Sequence, residues 1–217
     1  MDSACAFCDR KNIEERLIYE NDGFYVVATL GQITDGGYVL VIPKKHILCL
    51  GELSSDCLYY EVDKMWRIAC LIINALNREY PQKNDSKIST NFTAFEHGIV
   101  GQSIKHAHLH ILPRYLNFLS TLKRDFPNSK LEEEKYFGGL QSLYQKSPRP
   151  YLYYTNVFGH GTICWNPPAP AQYLRLMAAE LLGRPERGNW RDTDPELDKR
   201  LGEETVRRLK PYFHESR

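Results

Sequence analysis

The feature that most constrains the fold is the stretch KHAHLHILPR, residues 105–114, in which every second position of its first half is a histidine. The histidines are His106, His108 and His110, and the residues between them are apolar. Side chains alternate between the two faces of a β-strand, so this spacing predicts a strand with three imidazoles on one face. Neighbouring imidazoles would lie roughly 7 Å apart, which is twice the rise per residue. One face is suited to a core and the other to chemistry.

Length and composition are those of a folded globular protein. The chain has 217 residues, of which 42% are hydrophobic and 25% are charged, and this length fits one domain with a substantial extension. A net charge of +1 gives no electrostatic reason to expect nucleic acid or an acidic membrane as a partner. No apolar run is long enough to span a membrane, and the N-terminus lacks the apolar core of a secretory signal. We therefore expect a cytoplasmic protein.

The first half of the chain predicts a hairpin, a long helix and two further strands. Residues 24–29 and 38–42 are rich in β-branched and aromatic side chains, with a DGG turn between them. Apolar residues at helical spacing predict a helix over about 55–80. Residues 88–97 and 103–114 predict two more strands, the second of which carries the histidines.

The second half of the chain differs from the first in composition. Residues 123–135 are charged and predict an exposed segment, whereas residues 149–157 predict a strand. The stretch 159–172 is rich in Gly and Pro and predicts a loop. Two helices are expected after it, over 171–183 and over roughly 194–210.

The histidine face could carry chemistry, but two other interpretations of it do not make an imidazole the reacting group. The histidines could simply face water or a satisfied polar network, but three in strict alternation argue against this. They could also form a three-histidine catalytic zinc site. Same-face strand positions supply two ligands easily, but the third ligand of such a site usually comes from elsewhere.

The sequence HAHLHIL resembles the His-φ-His-φ-His-φ-φ signature of the histidine triad (HIT) nucleotide hydrolases and transferases, where φ is an apolar residue. The longer stretch GQSIKHAHLHILPR is similar to the corresponding segment of that superfamily, including its diadenosine-polyphosphate hydrolases. GYVLVIPKKH resembles the upstream Gly-His-x-Leu-φ-φ-Pro-Lys-x-His stretch. The resemblance covers roughly residues 5 to 114, about half of the chain.

The expected fold is α+β, with an antiparallel sheet of about five strands, one long packed helix and a helical C-terminal extension. We expect a HIT-like catalytic domain with an N-terminal zinc knuckle over 1–115. Residues 116–217 would form an extension that completes the substrate site. The resemblance also implies a homodimer, because triad proteins commonly form symmetric dimers.

The resemblance implies a role for each residue of the motif. His108 is expected to attack an α-phosphorus and form a nucleotidyl-histidine intermediate, with its other ring nitrogen held by a backbone carbonyl. His110 would contact the phosphate oxygens. Gln102 and Ser103 would donate hydrogen bonds that stabilise developing charge. This chemistry needs no catalytic metal, although a divalent ion could accompany a polyphosphate substrate.

Cys5 and Cys8 are the only close pair among six cysteines, so a secreted disulfide framework is not expected. The pair could be redox-active or simply two small buried residues. It could also be half of a tetrahedral zinc site, which needs two more ligands. His46 and His106 correspond to ligands in zinc-containing members of the family and in the similar galactose-1-phosphate uridylyltransferases. The resemblance therefore implies a structural Zn2+.

Other candidate residues have weaker signals. His97, in the sequence FEHG, could be a substrate-binding or general-acid residue, an alternative zinc ligand, or a loop residue with no role. In the extension, Gln172 and Arg175 are three residues apart on a predicted helix, and Arg191 follows Trp190 in a loop. Arginine suits phosphate binding and indole suits stacking on a base, whereas ion pairs and core packing are the alternative explanation.

The sequence also departs from the family pattern. Tyr38 stands where many members have His, and TLGQITDGG replaces the familiar ribose-binding loop, so base and ribose contacts cannot be transferred. The favoured function is hydrolysis at the α-phosphate of a nucleotide-linked substrate, such as a dinucleoside polyphosphate or a sugar nucleotide. Transfer of the nucleotidyl group to another acceptor is the alternative. A zinc-stabilised nucleotide-binding module without turnover and repair of adenylated DNA are two further possibilities.

Overall fold

A computed structural model describes residues 5–54, 60–81, 92–134, 138–155 and 161–213. The strands are β1 Leu17–Glu20, β2 Phe24–Ala28, β3 Val39–Pro43, β4 Thr93–Gly98, β5 Leu109–Leu112, β6 Lys130–Glu134, β7 Tyr151–Thr155 and β8 Gly161–Trp165. The helices are α1 Tyr60–Glu79, α2 Leu119–Asp125, α3 Gly139–Lys146, α4 Tyr173–Leu181 and α5 Pro195–Leu209. Short 3-10 turns lie at Arg10–Asn12, Glu14–Arg16, Leu50–Glu52, Pro185–Arg187 and Lys210–Phe213.

All eight strands form one antiparallel sheet in the order β1-β2-β3-β5-β4-β7-β8-β6. The predicted hairpin is confirmed, since β2 pairs with β3 from Phe24 opposite Pro43 to Ala28 opposite Val39. On the far side, β4 pairs with β7 of the C-terminal half over five residue pairs. Strands from both halves of the chain therefore share one sheet.

The α+β fold and the antiparallel sheet are confirmed, but the prediction of about five strands is wrong. The three missed strands each lack the expected pattern. β1 is only four residues long, and β6 has the sequence KLEEE, which reads as an exposed loop. β8 is buried at every residue and has no alternation, and the Gly and Pro residues around it favoured a loop. Hydrogen bonding to neighbouring strands is what makes these three segments strands.

The histidine strand is shorter than predicted. β5 begins at Leu109, and the residues before it form an extended lead-in that bends at Ile104, whose carbonyl accepts from the His106 backbone N–H. The Ala107 backbone N–H donates to the carbonyl of Ile47, so this lead-in is tied to another loop. The predicted helix is confirmed as α1, although its expected start near residue 55 and the expected strand start at residue 88 lie outside the described residues.

The two faces of the histidine segment meet different surroundings, as the alternation predicts. Ala107, Leu109 and Ile111 are buried in the main hydrophobic core together with residues of α1. The histidine side chains lie on the opposite face, which is partly covered by α4. Among the described residues, no helix combines the length and the apolar character that crossing a membrane requires.

Candidate active site

A cavity of about 180 Å³ opens on the histidine face of the sheet. His97, His108 and His110 line it, and the triad residue His106 lies outside it. The C-terminal half contributes a second part of the wall, which consists of Gln172, Arg175 and Trp190. We refer to this space below as the cavity.

His108 is held by a main-chain contact. Its Nδ1 lies 2.7 Å from the carbonyl oxygen of His106, and because a carbonyl can only accept, Nδ1 carries the proton. The other ring nitrogen, Nε2, therefore has a free lone pair. Burial lowers the pKa of His108 to about 4, against the opposing effect of the hydrogen bond to His106. The imidazole is thus neutral near pH 7, and the ring edge packs against Phe7 at 5.3 Å between centroids.

His106 points away from the cavity. Its Nε2 donates to the carbonyl of Pro43 at 2.8 Å, which leaves the Nδ1 lone pair facing the N-terminal cysteines. Nδ1 lies 3.4 Å from Sγ of Cys5 and 3.6 Å from Sγ of Cys8. The orientation that a metal-binding imidazole requires is therefore already set by a backbone carbonyl.

Four potential metal ligands converge at this point, with all ligand atoms within 4.8 Å of one another. They are Cys5, Cys8, His46 and His106. Tetrahedral zinc, with bonds of about 2.3 Å to sulfur and 2.0–2.1 Å to nitrogen, holds sulfur and nitrogen ligands roughly 3.5 Å apart. The distance from Nδ1 of His46 to Sγ of Cys8 is 3.2 Å, close to that value. The donor set and its spacing fit zinc.

His110 lies beside His108, with ring centroids 4.8 Å apart. Its Nδ1 is 2.7 Å from the hydroxyl of Tyr38, and its ring stacks on Phe95 at 4.5 Å and an interplanar angle of 11°. Its Nε2 is buried and has no hydrogen-bond partner among the described residues. Burial, with His108, His97 and Arg175 nearby, lowers the pKa of His110 well below its usual value.

His97 contacts the C-terminal half directly. Its Nε2 accepts the backbone N–H of Leu174 at 3.0 Å, so the proton of this neutral ring is on Nδ1. Burial lowers its pKa to about 3, with further lowering by His108 and Arg175. His97 is outside the four-residue metal cluster of the described chain, so the alternative role as a zinc ligand is not supported. It lines the cavity and holds the start of α4 against it.

Gln102 and Ser103 occupy different positions. Ser103 is exposed and lines the cavity. The Gln102 amide instead donates to the carbonyl of Leu48 at 2.6 Å, which ties the histidine lead-in to the segment after His46. Gln102 is absent from the cavity lining.

Arg175 is buried and is not a surface ion-pair partner. Its guanidinium donates to the carbonyls of Gly31 and Gly188, the latter at 2.7 Å, and lies 5.4 Å from the centre of the Tyr38 ring. It therefore joins the loop before β3 to the segment after α4.

The other predicted residues of the extension divide into two groups. Gln172 precedes α4 in a left-handed conformation (φ 63°) and not on the helix face that the sequence predicted. Its Nε2 donates to Asn189, and its Oε1 is buried without a partner in the described part of the chain. Arg191 is exposed and stacks on Trp190 at 4.3 Å, but only Trp190 lines the cavity.

Sequence reasoning missed several residues of the site, including Tyr38, which contacts His110 but does not line the cavity. Tyr38 was noted only as a departure from a motif, although its position next to a glycine in that motif was the available signal. Phe7, between the two cysteines, lines the cavity, as do Asn12 and Arg16. No spacing or motif pointed to Asn12 or Arg16, because they reach the cavity through the 3-10 turns that follow the zinc knuckle.

An antiparallel sheet that carries alternating histidines, the middle one lining a cavity and oriented by a main-chain carbonyl, defines the class of histidine triad proteins. The HIT domain family model matches residues 10–117. An uncharacterised HIT-like protein of Mycoplasma genitalium is 31% identical over 115 residues, which are 52% of this chain and 74% of that protein. The chain belongs to the HIT family.

Two further relatives are similar over the same half of the chain. Protein hit of Bacillus subtilis (strain 168) is 28% identical over 113 residues, which are 51% of this chain and 71% of that protein. The crystal structure of a HIT family protein from Bacillus anthracis has 25% sequence identity and a TM-score of 0.43, and the alignment covers 54% of this chain and 77% of that chain.

Proposed function

We propose that this protein cleaves a nucleotide-linked substrate at its α-phosphate through a covalent nucleotidyl-His108 intermediate. The observation that carries the proposal is the 2.7 Å contact between Nδ1 of His108 and the carbonyl of His106. It leaves the Nε2 lone pair on a residue that lines the cavity. A neutral, oriented imidazole is a competent nucleophile near pH 7.

The reaction proceeds in two displacements. In the first, the Nε2 lone pair of His108 forms a bond to the α-phosphorus, and the bond from phosphorus to the leaving-group oxygen, or nitrogen in a phosphoramidate, breaks with its electron pair. In the second, water attacks the same phosphorus and loses a proton, and the N–P bond breaks to return the lone pair to Nε2. The products are a nucleoside monophosphate and the protonated leaving group.

Donors around the cavity stabilise the charge on the phosphoryl oxygens. Ser103 and His110 are the candidates on the wall near His108. Gln102 acts by holding the lead-in of the histidine strand through its bond to the Leu48 carbonyl. His97 and Arg175 line the cavity, and through their contacts with the Leu174 N–H and with backbone carbonyls they hold the wall that the substrate would contact.

Transfer to another acceptor is the second candidate. The specific observation in its favour is that Gln172, Arg175 and Trp190 close part of the cavity. A wall that excludes water protects the intermediate until another nucleophile arrives. In this interpretation the extension, residues 116–217, completes the substrate site, and Arg191 contributes by stacking on Trp190.

Zinc has a structural role in this proposal. Cys5, Cys8, His46 and His106 would hold it, and the metal would tie the N-terminal segment to the triad and supply folding free energy. The chemistry at phosphorus is left to the imidazoles, with no catalytic metal.

The test is hydrolysis in 18O-labelled water with diadenosine polyphosphates, sugar nucleotides and nucleoside phosphoramidates. We expect one 18O atom in the nucleoside monophosphate, because water attacks the α-phosphorus. Label found only in the leaving group would overturn the proposal. An 18O-free nucleotidyl product that forms only with an added acceptor would identify a transferase.

A further inference from the structure

The imidazole of His110 and the phenol of Tyr38 form a short contact, 2.7 Å, which has no counterpart at the other two triad histidines. Tyr38 is fully buried, and Arg175 lies over its ring. Burial raises the pKa of Tyr38 to about 12, against the opposing effect of the positive charge of Arg175. The phenol is therefore neutral and has one proton to donate.

The direction of the contact follows from counting donors. The Tyr38 hydroxyl has one proton, and Nδ1 of His110 is its hydrogen-bond partner in the part of the chain that the structure describes. The hydroxyl proton then needs an acceptor, and Nδ1 of His110 is in reach. The opposite arrangement, in which Nδ1 of His110 donates, would leave this buried proton without an acceptor among the described residues.

We propose that Tyr38 is a positioning residue that holds His110 in the tautomer with its proton on Nε2. His110 then presents an N–H donor to a non-bridging oxygen of the phosphoryl group on His108. This inference deepens the proposed function and rests on it for the identity of the acceptor, but the tautomer itself exists before any substrate binds.

Two observations besides the short contact support the proposal. Nε2 of His110 is buried with no partner in the described chain, so a bound phosphoryl oxygen would satisfy it. Phe95 stacks on the ring and, with Tyr38, restricts its rotation. In the family stretch that GYVLVIPKKH resembles, a histidine stands at the position of Tyr38. A neutral histidine can donate or accept there, whereas this buried tyrosine has one hydroxyl proton that needs an acceptor and therefore donates.

The first experiment reads the tautomer in the resting protein. Histidine is labelled with 15N, two-bond nitrogen–proton correlations are recorded, and the His110 signals are assigned by their loss in His110→Gln. We expect a protonated Nε2 and an unprotonated, hydrogen-bonded Nδ1. A protonated Nδ1 would overturn the proposal without any assay of activity.

The second experiment removes the hydroxyl. In Tyr38→Phe we expect the His110 signals to show a mixture of tautomers or the Nδ1–H form. Tyr153→Phe is the matched control, because Tyr153 is also a buried strand tyrosine but lies in the other core. An unchanged His110 pattern in Tyr38→Phe would show that Tyr38 does not set the tautomer.

The third experiment connects the tautomer to chemistry. With a substrate that nucleotidylates His108, Tyr38→Phe should slow formation of the adduct about tenfold, the effect of one lost hydrogen bond of about 1.4 kcal/mol, while Tyr153→Phe should not. An unchanged rate would reject the donor role of His110. If wild type forms neither adduct nor product, the proposed function fails, and the nitrogen spectra still decide the role of Tyr38.

Discussion

Three imidazoles on β5 and the segment that leads into it have three different partners, and these partners decide what each ring can do. His106 donates to the Pro43 carbonyl, His108 donates to the His106 carbonyl, and His110 meets the Tyr38 hydroxyl. Each contact fixes which nitrogen carries the proton. Side chains that look equivalent in the sequence thus become a candidate metal ligand, a candidate nucleophile and a candidate hydrogen-bond donor.

Glu96, next to His97, is a buried carboxyl on the opposite face of β4. It accepts the Leu50 backbone N–H at 2.7 Å and the Tyr151 hydroxyl at 2.6 Å. Burial nevertheless raises the pKa of Glu96 to about 8, whereas its value in the unfolded chain is near 4.5. The folded state therefore retains a proton that the unfolded state releases between these values.

The raised pKa of Glu96 determines how the stability of the protein changes with pH. The contribution of Glu96 to stability is complete below about pH 4.5 and is lost as pH rises through 8. In Glu96→Gln, an amide of the same shape that does not titrate, we expect the melting temperature to fall less between pH 5 and pH 8.5. Parallel melting curves for the two proteins across this range would contradict the assignment.

Gly31 joins the two halves of the chain at the residue scale. Its backbone is left-handed (φ +65°), and an added Cβ would lie 2.7 Å from Cα of Trp190 and would collide with the guanidinium of Arg175. We expect Gly31→Ala to lower the free energy of unfolding by about 1–3 kcal/mol. Gly202→Ala, in α5 with nothing within 4 Å of the new atom, should raise it by about 0.5–1 kcal/mol. Chemical denaturation measures both variants. Equal changes in the free energy of unfolding for Gly31→Ala and Gly202→Ala would contradict the close approach of Gly31 to Trp190 and Arg175.

At the scale of elements, periodicity and turn chemistry predicted the structures that have strong local signals. The β2–β3 hairpin, α1, α4 and α5 are all present close to the expected bounds. β6 and β8 could not be predicted, because a charged edge strand and a fully buried strand both lack alternation. Their conformations are set by pairing, of β6 with β8 and of β8 with β7 and β6, which no pattern within either segment reports.

The candidate site was predictable to the extent that motifs carried it. The four ligands of the metal cluster and the orientation of His108 by a carbonyl were expected from the resemblance, and the corresponding atoms lie together. The contacts of Arg175 with backbone carbonyls and the Tyr38–His110 contact were not expected. They depend on how α4 and the loop before β3 meet, which the sequence does not encode in any short pattern.

The N-terminal knuckle makes a prediction about metal. Cys5→Ser should remove about one zinc per chain and lower the melting temperature by roughly 4–8 °C, for a loss of about 2 kcal/mol in a chain of this size. Cys70→Ser is the matched control, because Cys70 lies in α1 outside the cluster. Metal content by mass spectrometry and thermal unfolding test this together. Full zinc occupancy in Cys5→Ser would exclude the knuckle from the account.

At the scale of the whole molecule, the sheet continues from the triad half into the C-terminal half. The outer edge of β4 pairs with β7, so β1 and β6 are the edge strands of the sheet that the structure describes. The sequence of β6, KLEEE, repels a second copy of itself. The sheet therefore limits the ways in which backbone pairing could form the homodimer that the resemblance implies.

The oligomeric state is therefore a separate prediction. From the family resemblance we expect the mass of two chains in analytical ultracentrifugation at micromolar concentration. Because β6 is unsuited to pairing, substitution of Glu133 in β6 by Lys should leave that mass unchanged. A single-chain mass for wild type would show that this protein departs from the homodimer.

The most direct test of the central claim is intact-protein mass spectrometry under non-acidic conditions, after brief mixing with nucleoside polyphosphates, sugar nucleotides and phosphoramidates. We predict a mass gain of one nucleotidyl group in wild type, mapped to His108 by peptide analysis and absent in a folded His108→Ala variant. Product release is measured in the same samples, because fast hydrolysis hides an adduct. Turnover that persists in His108→Ala, or an adduct mapped to another residue, would contradict the account.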